Sequence, residues 1–406
     1  MTPKPQEWRL SWEELARATG STQEDLRQLV EVGVLEPADS DLPFRSGDIH
    51  RVRAVAALEA TGVALEEIAE AIATGQLSFG YLDYVAPPPR VLGQTYAELC
   101  AEIGIPFDVL ERVYLAFGLP NPAADEQVRE DDAAAHRGLR VLLETLDEAD
   151  VLQSARLFGD GARRMAESQL HLFHTRVEDR FRQAGIPEAS VLEVALRDVG
   201  VHTSPLGEQW AAWLYRRHSE AFTVEHRVLH AEEDLERAGI RRRDVAEPAA
   251  IAFLDISGYT RLTEELGDEA SAAMPMRLAA LVQEVTARHG GRTVKWIGDG
   301  VELYFPRPAA AVLCSLELRE RVPHADLPGT HVGINAGPLV YEGGDFYGRT
   351  VNVAARIAAH AGEGQVLVSD EVASHGASAG VRFNRVGPVR FKGVSQDVVI
   401  YEAERA

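Results

Sequence analysis

Six polar residues in the last third of the chain have the types and spacing to act on a nucleotide. Asp255 stands in FLDISGYT, Lys295 and Asp299 in VKWIGDG, and Asp345, Asn352 and Arg356 in GGDFYGRTVNVAAR. The carboxylates of Asp255 and Asp299 suit a hard cation such as Mg²⁺, which one or two carboxylates hold while substrate phosphates complete its octahedron. Lys295 only donates hydrogen bonds and an ionised Asp345 only accepts. That pair complements adenine, whose N6 donor lies beside its N1 acceptor, and leaves unpaired groups opposite guanine, at ~1–3 kcal/mol per lost contact. Asn352 and Arg356, four residues apart, share one helix face, and a permanently charged, forked guanidinium suits charge building up at phosphorus.

The surrounding pattern supplies elements to carry these groups. AAIAFLD reads as a buried strand ending at Asp255, and RTVKWIG with VELYF as a hairpin turning at Gly298, Asp299 and Gly300, which would bring both carboxylates to one rim. THVGINAG and PLVYEGGDFYG are expected to pair as a second hairpin, with QVLVS and VVIYEAE as further strands. Helices are expected at DEASAAMPMRLAALVQEVTARHG, PAAAVLCSLELRER and TVNVAARIAAHAG. Directly after Asp255, the backbone N–H groups of Ile256, Ser257, Gly258, Tyr259 and Thr260 lie near a helix start and form a candidate phosphate cradle.

In the order, spacing and identity of all three clusters, the region from about Ala249 to Ala406 resembles the catalytic domain of class III adenylate cyclases. The resemblance implies an α+β chain: an all-helical N-terminal regulatory region followed by a ferredoxin-like cyclase catalytic domain. It implies conversion of ATP to 3′,5′-cyclic AMP and pyrophosphate, with two Mg²⁺ or Mn²⁺ ions at Asp255 and Asp299. One ion would promote loss of the ribose 3′-hydroxyl proton and the other would hold the triphosphate. By the same resemblance Lys295 and Asp345 recognise adenine, Asn352 orients the ribose and Arg356 stabilises charge at phosphorus. Lys392 in FKGV is a candidate contact to the triphosphate. These groups come from different protomers in the family, so a symmetric homodimer with two sites is expected. GGDF at Gly343 to Phe346 superficially matches the GGDEF signature of diguanylate cyclases, but no Glu follows and the continuation FYGRTVN fits the class III pattern.

Upstream, LSWEELARATG, STQEDLRQLVEVG, GDIHRVRAVAALEATG and LEEIAEAIATG read as short helices separated by turn residues. They resemble the helix-turn-helix module of MerR-like regulators. The stretch from Thr95 to Pro122 echoes that from Ser11 to Pro37, which implies two related units. The expected recognition segment is Gln23, Glu24 and Asp25, where a DNA reader would present cations or amides. Arg27, Arg45, Arg51 and Arg53 leave DNA binding open, but a helix-turn-helix reused for packing is the favoured reading. From about Glu126 to Arg243 the pattern is helical throughout, and the texture changes at RRRDVAEP.

The expected organisation is a helix-turn-helix module over 1–80, a helical regulatory domain over 81–215, a helical linker over 216–247 and the catalytic domain over 248–406. The first 240 residues resemble the helical regulatory regions of some actinobacterial cyclases, which implies control over how two catalytic domains meet. A proton and a small molecule are candidate signals, against the plainer reading of the region's histidines as solvated or packed. His218, His226 and His230 lie near the junction, with His171 and His174 upstream, and histidine is the side chain that changes charge near neutral pH. No Cys or Glu spacing supports a metal at His171 and His174.

Composition narrows the classes further. A chain of 406 residues allows two to four domains, and a net charge of −22 argues against sequence-independent nucleic-acid binding, which needs clustered Lys and Arg. Cys100 and Cys314 have no disulfide-scaffold or CxxC spacing, so two packed thiols in a reducing compartment are expected. MTPKPQEW has no apolar signal segment, and no apolar run approaches the ~18 residues of a membrane span. The expected location is cytoplasmic. Two other functions compete: a transcriptional regulator whose cyclase-like module responds to nucleotide, and a guanylate cyclase.

Overall fold

Side-chain caps start the first helices. Ser11 accepts from the Glu14 N–H at 3.3 Å while the Glu14 carboxylate accepts from the Ser11 N–H at 2.8 Å, a reciprocal box that opens α1 (Trp12–Thr19). Gly20 closes that helix at φ 71°, a conformation that costs a residue without Cβ little. The computed structural model describes residues 8–85, 89–240, 247–257, 268–325, 327–376 and 380–406. It divides into two units, Met1–Ala231 and Glu232–Ala406.

In the first unit the inferred duplication runs deeper than the helices. β1 (Arg9–Leu10), α1, α2 (Gln23–Glu31), β2 (Phe44–Arg45) and α3 (Asp48–Ala60) are followed by α4 (Leu65–Ala73). The same order then returns as β3 (Val91–Thr95), α5 (Tyr96–Ile103), α6 (Phe107–Phe117), β4 (Gln127–Arg129) and α7 (Glu130–His136). β1 pairs antiparallel with β2, and β3 with β4. Thr95 and Glu98 repeat the capping box, and Gly104 closes α5 at φ 75°. Each copy buries its own core, around Leu15, Leu26 and Phe44 in one and Leu99, Leu110 and Val128 in the other.

These strand pairs correct the expectation of an all-helical N-terminal region. They are two to five residues long, too short to leave a readable alternation, and their pairing is set by the helices that bring the ends together. Beyond them lie α8 (Leu139–Thr145), α9 (Glu148–Leu172), α10 (Asp179–Gln183), α11 (Glu188–Ala195) and α12 (Val201–Arg237). π-Helical turns at Phe173–Glu178 and Leu196–Gly200 interrupt this run. The second lies just upstream of Pro205, which has no N–H for the helical ladder. α12 continues unbroken through residues 215 and 216.

The second unit is built on a seven-stranded sheet. β5 (Ala250–Ile256), α13 (Asp268–Arg288), β6 (Arg292–Ile297), β7 (Gly300–Phe305), α14 (Pro308–His324) and β8 (Thr330–Ala336) follow in sequence. They give a β-α-β-β-α-β connection in which β8, β5, β7 and β6 lie side by side, each antiparallel to its neighbour. After the small hairpin β9 (Val340–Glu342) and β10 (Asp345–Tyr347) come α15 (Arg349–His360), β11 (Val366–Ser369), α16 (Asp370–His375), β12 (Val381–Val389) and β13 (Val398–Arg405). β11 joins β8 in parallel, and β13 then β12 complete the sheet.

One sheet face packs Ala250, Ala252, Leu254, Val301, Leu303 and Phe305 against the apolar sides of α13 and α14. The other carries Ile251, Phe253 and Tyr304 beside Phe346 and Ala354. The expected hairpin of THVGINAG with PLVYEGGDFYG does not form. β8 is drawn into the sheet between β5 and β11, and PLVYE instead turns back on DFY through Gly343 and Gly344, at φ 60° and 80°. A two-residue turn with positive φ at both positions matches the twist of the flanking strands, so the Gly-Gly pair captures the turn.

Candidate active site

Asp255 is the next-to-last residue of β5, and Asp299 follows Gly298 in the two-residue turn between β6 and β7, with Gly298 at φ 62°. The two carboxyls meet. Burial, then the charge and hydrogen bond of Asp299, push Asp255 above the usual carboxylate range, and His331 partly opposes them. The Ile256 N–H donates to Asp255 Oδ1 at 3.0 Å, and His331 Nε2 lies 3.9 Å from Oδ2. Gly300 leaves them room: a Cβ there would stand 3.1 Å from Asp255 Oδ1.

His331 was not singled out from sequence. It stands directly opposite Asp255 across the β5–β8 ladder, and its Nδ1 lies 3.2 Å from Ser257 Oγ. The N–H of Ser257 donates to the Gly329 carbonyl at 2.8 Å, so the first two N–H groups of the expected phosphate cradle are already engaged within the chain. Gly258, Tyr259 and Thr260 lie outside the described residues.

Lys295 on β6 and Asp345 at the start of β10 are joined directly by Nζ and Oδ2, while Asp345 Oδ1 accepts from the Phe346 N–H at 2.8 Å. Lys295 Nζ is also 3.5 Å from Oε2 of Glu302, its cross-strand neighbour on β7. Partial burial disfavours the ammonium, but Asp345 and Glu302 outweigh it and hold Lys295 above its ordinary value. Glu302 is 0% exposed, and burial pushes its carboxyl above the usual range against the partial opposition of Lys295. The sequence reading had passed it over as a strand residue.

Asn352 and Arg356 both face solvent on α15, opposite the buried Val353, Ala354, Ile357 and Ala358. That helix is anchored where it begins. Buried Asn335 donates to the Thr350 carbonyl at 3.0 Å, and the Thr350 hydroxyl donates to the Pro338 carbonyl at 2.6 Å. Lys392 is exposed in the turn between β12 and β13. No hydrogen bond or ion pair among the described residues links the Asp255–Asp299 pair to Lys295 and Asp345, or either pair to Asn352 and Arg356.

Around the junction, His226 and His230 on α12 approach ring to ring, Nε2 to Nε2 at 2.9 Å. His174 pairs with buried Glu178 at 3.0 Å, and among the described residues no group of three His, Cys, Asp or Glu is set to hold a metal. Cys100 and Cys314 are free and buried, as expected. Among the described residues no helix is long and apolar enough to cross a membrane.

Residues 243–403 match the adenylate and guanylate cyclase catalytic domain, and residues 45–204 match the adenylate cyclase regulatory domain. The chain thus carries a class III adenylate/guanylate cyclase catalytic domain preceded by a mostly helical regulatory region, and its likeness to such enzymes supports activity of that lyase class. A pH-sensitive adenylate cyclase of Mycobacterium tuberculosis is 29% identical over 316 residues, covering 76% of this chain and 77% of that protein. An adenylate cyclase of Streptomyces coelicolor is 29% identical over 268 residues, covering 65% of this chain and 67% of its own. The crystal structure of the adenylyl cyclase CyaB from P. aeruginosa, 24% identical, covers 39% of this chain and 95% of that one, with a TM-score of 0.37.

Proposed function

We infer that this protein is an adenylate cyclase, converting ATP to 3′,5′-cyclic AMP and pyrophosphate where two copies meet, under the control of its N-terminal region. The meeting of Asp255 with Asp299, beside a hairpin that also carries Lys295 against Asp345, supports this reading most directly. The catalytic unit is read as ferredoxin-like on its β-α-β-β-α-β connectivity. Residues 1–80 are read as a MerR-like module, 81–215 as the regulatory domain, 216–247 as the helical linker and 248–406 as the catalytic domain.

The acid pair fits a hard divalent cation: two carboxyls near enough to act on each other, the first raised by burial and by the second, with no Lys or Arg on either among the described residues. Two Mg²⁺ or Mn²⁺ ions would supply Lewis acidity toward the ribose 3′-oxygen and the triphosphate. Lys295 donates to adenine N1 and Asp345 accepts from N6. Asn352 orients the ribose, and Arg356 meets charge developing at phosphorus. Gly258, Tyr259, Thr260 and Lys392 are assigned to the triphosphate.

The homodimer reading is supported by exposed apolar side chains around Lys295 and Asp345: Trp296, Ile297, Val340, Tyr341 and Tyr347, the last four more than half exposed. Such a patch beside polar site residues suits a second copy of the chain. DNA binding is disfavoured by the fate of the arginines. Arg51 is buried between Asp48 and Asp83, Arg27 pairs with Glu24 at 3.2 Å, and Arg53 donates to the Ala18 carbonyl at 3.0 Å. A proton signal is supported by the His226–His230 contact, Nε2 to Nε2 at 2.9 Å, and by the pH sensitivity of the mycobacterial relative. The test is turnover of ATP and of GTP by the purified protein with Mn²⁺, beside Asp299→Ala. ATP should exceed GTP, and the variant should lose about 100-fold or more. GTP exceeding ATP would replace the reading with a guanylate cyclase, and turnover of neither would end it.

A further inference from the structure

Glu302 is a carboxylate where the fold needs none. It lies on the β7 face opposite Val301 and Leu303, is 0% exposed, and among the described residues neither of its oxygens has a close hydrogen-bond partner. Burying such a group without partners is costly, and a well-packed apolar side chain of similar volume is usually neutral or stabilising in its place. Among the described residues its ion-pair partner is specific: Lys295 Nζ at 3.5 Å from Oε2.

That neighbour is brought there by an irregularity in the sheet. Thr293 pairs with Leu303, so regular pairing would put Val294 opposite Glu302; the register slips by one residue and Lys295 takes that position instead. Bulges of this kind re-aim a side chain and cluster beside active sites. The ammonium therefore has a carboxylate on each side, Asp345 in contact and Glu302 beneath. Lys295 and Asp345 satisfy each other directly. To read adenine their contact must open enough to admit the base edge, so that Asp345 turns an oxygen to N6 and Lys295 turns an N–H to N1.

We propose that Glu302 is the positioning and specificity residue of this base-reading pair, taking the Lys295 ammonium as Asp345 turns to the base. A lysine held from below keeps a donor aimed at N1. A lysine without that hold either stays on Asp345 and blocks the acceptor, or swings free and ceases to discriminate. This rests on the assignment of Lys295 and Asp345 to the base.

The test compares Glu302→Leu and Glu302→Gln with the wild-type full-length chain. Turnover of ATP and GTP is measured, together with equilibrium binding of 3′-deoxy-ATP and 3′-deoxy-GTP, which lack the attacking hydroxyl, and thermal melting. Glu302→Leu should melt no lower than wild type, yet raise KM for ATP and reduce the preference for adenine over guanine, in turnover and in binding, each by about 10-fold. Its kcat for ATP should stay within about 3-fold. Glu302→Gln, whose carbonyl oxygen can accept from the ammonium as it arrives, should keep most of the preference. An unchanged preference in the Leu variant overturns the proposal, as does an equal loss with both nucleotides. Absence of turnover in the wild type would count against the cyclase reading, while the binding arm would still decide this one: a wild-type chain that binds both analogues equally overturns it.

Discussion

Replacing Gly333 with Ala should disable catalysis from beneath the site. Gly333 lies on β8 where α15 crosses it, and an added methyl carbon there would stand 1.9 Å from Ala358 N and 2.5 Å from Ala358 Cα. Ordinary contact begins at 3.4 Å, so helix and strand must part by about 1.5 Å. The obstacle is backbone, which no rotamer change can move. Overpacking of this kind costs ~1–3 kcal/mol, or roughly 2–12 °C of melting temperature for a domain of this size. The larger effect falls on Arg356, two residues before the point of collision on the same helix. A misplacement of ~1 Å costs on the order of 100-fold in rate, so ATP turnover should fall by about that factor in protein still folded at the assay temperature. If Arg356 carries the loss, Arg356→Ala should cost far less in the Gly333→Ala background than it does with Gly333 in place. Turnover within about 3-fold of wild type and an unchanged melting temperature would refute the close crossing, and full additivity would refute its link to Arg356.

The raised Asp255 carboxyl holds a proton to higher pH than an ordinary aspartate, so proton and cation compete for it as pH falls. The Mn²⁺ concentration giving half-maximal rate should therefore climb toward acid pH, by up to about 10-fold per unit below the raised value, and a flat dependence from pH 4 to 8 would count against the acid pair as the cation site. Equal mixing of Asp255→Ala with Arg356→Ala chains should restore about a quarter of wild-type activity, since half the dimers are mixed and each has one intact site of two; failure to complement would sink the shared site. Replacing His218, His226 and His230 together should flatten the ratio of activities at pH 6 and pH 8, and an unchanged ratio would reject the histidines as the proton sensor.

The chemistry-bearing residues were legible because their signals are local. Ser11 and Glu14, or Thr95 and Glu98, announce helix starts within four residues, and Asn352 with Arg356 share a face by helical period alone. The duplication of helix pairs in the first unit could be read for the same reason, though not its short strands. The alternation of VELYF marked a strand correctly, yet gave no hint that Glu302 would face inward with its oxygens unpaired.

What the sequence determined by itself was the set of groups, most of the helices and the β-strand at which each cluster ends. Tertiary structure alone decided that Asp255 sits opposite His331, that THVGINAG enters the main sheet and leaves PLVYE to fold on DFY, and that a one-residue slip sets Lys295 over Glu302. The division follows from range. Caps and helical period act within a few residues, whereas register, bulges and the burial of a particular carboxylate depend on which distant strand comes alongside, and a slip of one residue turns every side chain to the other face.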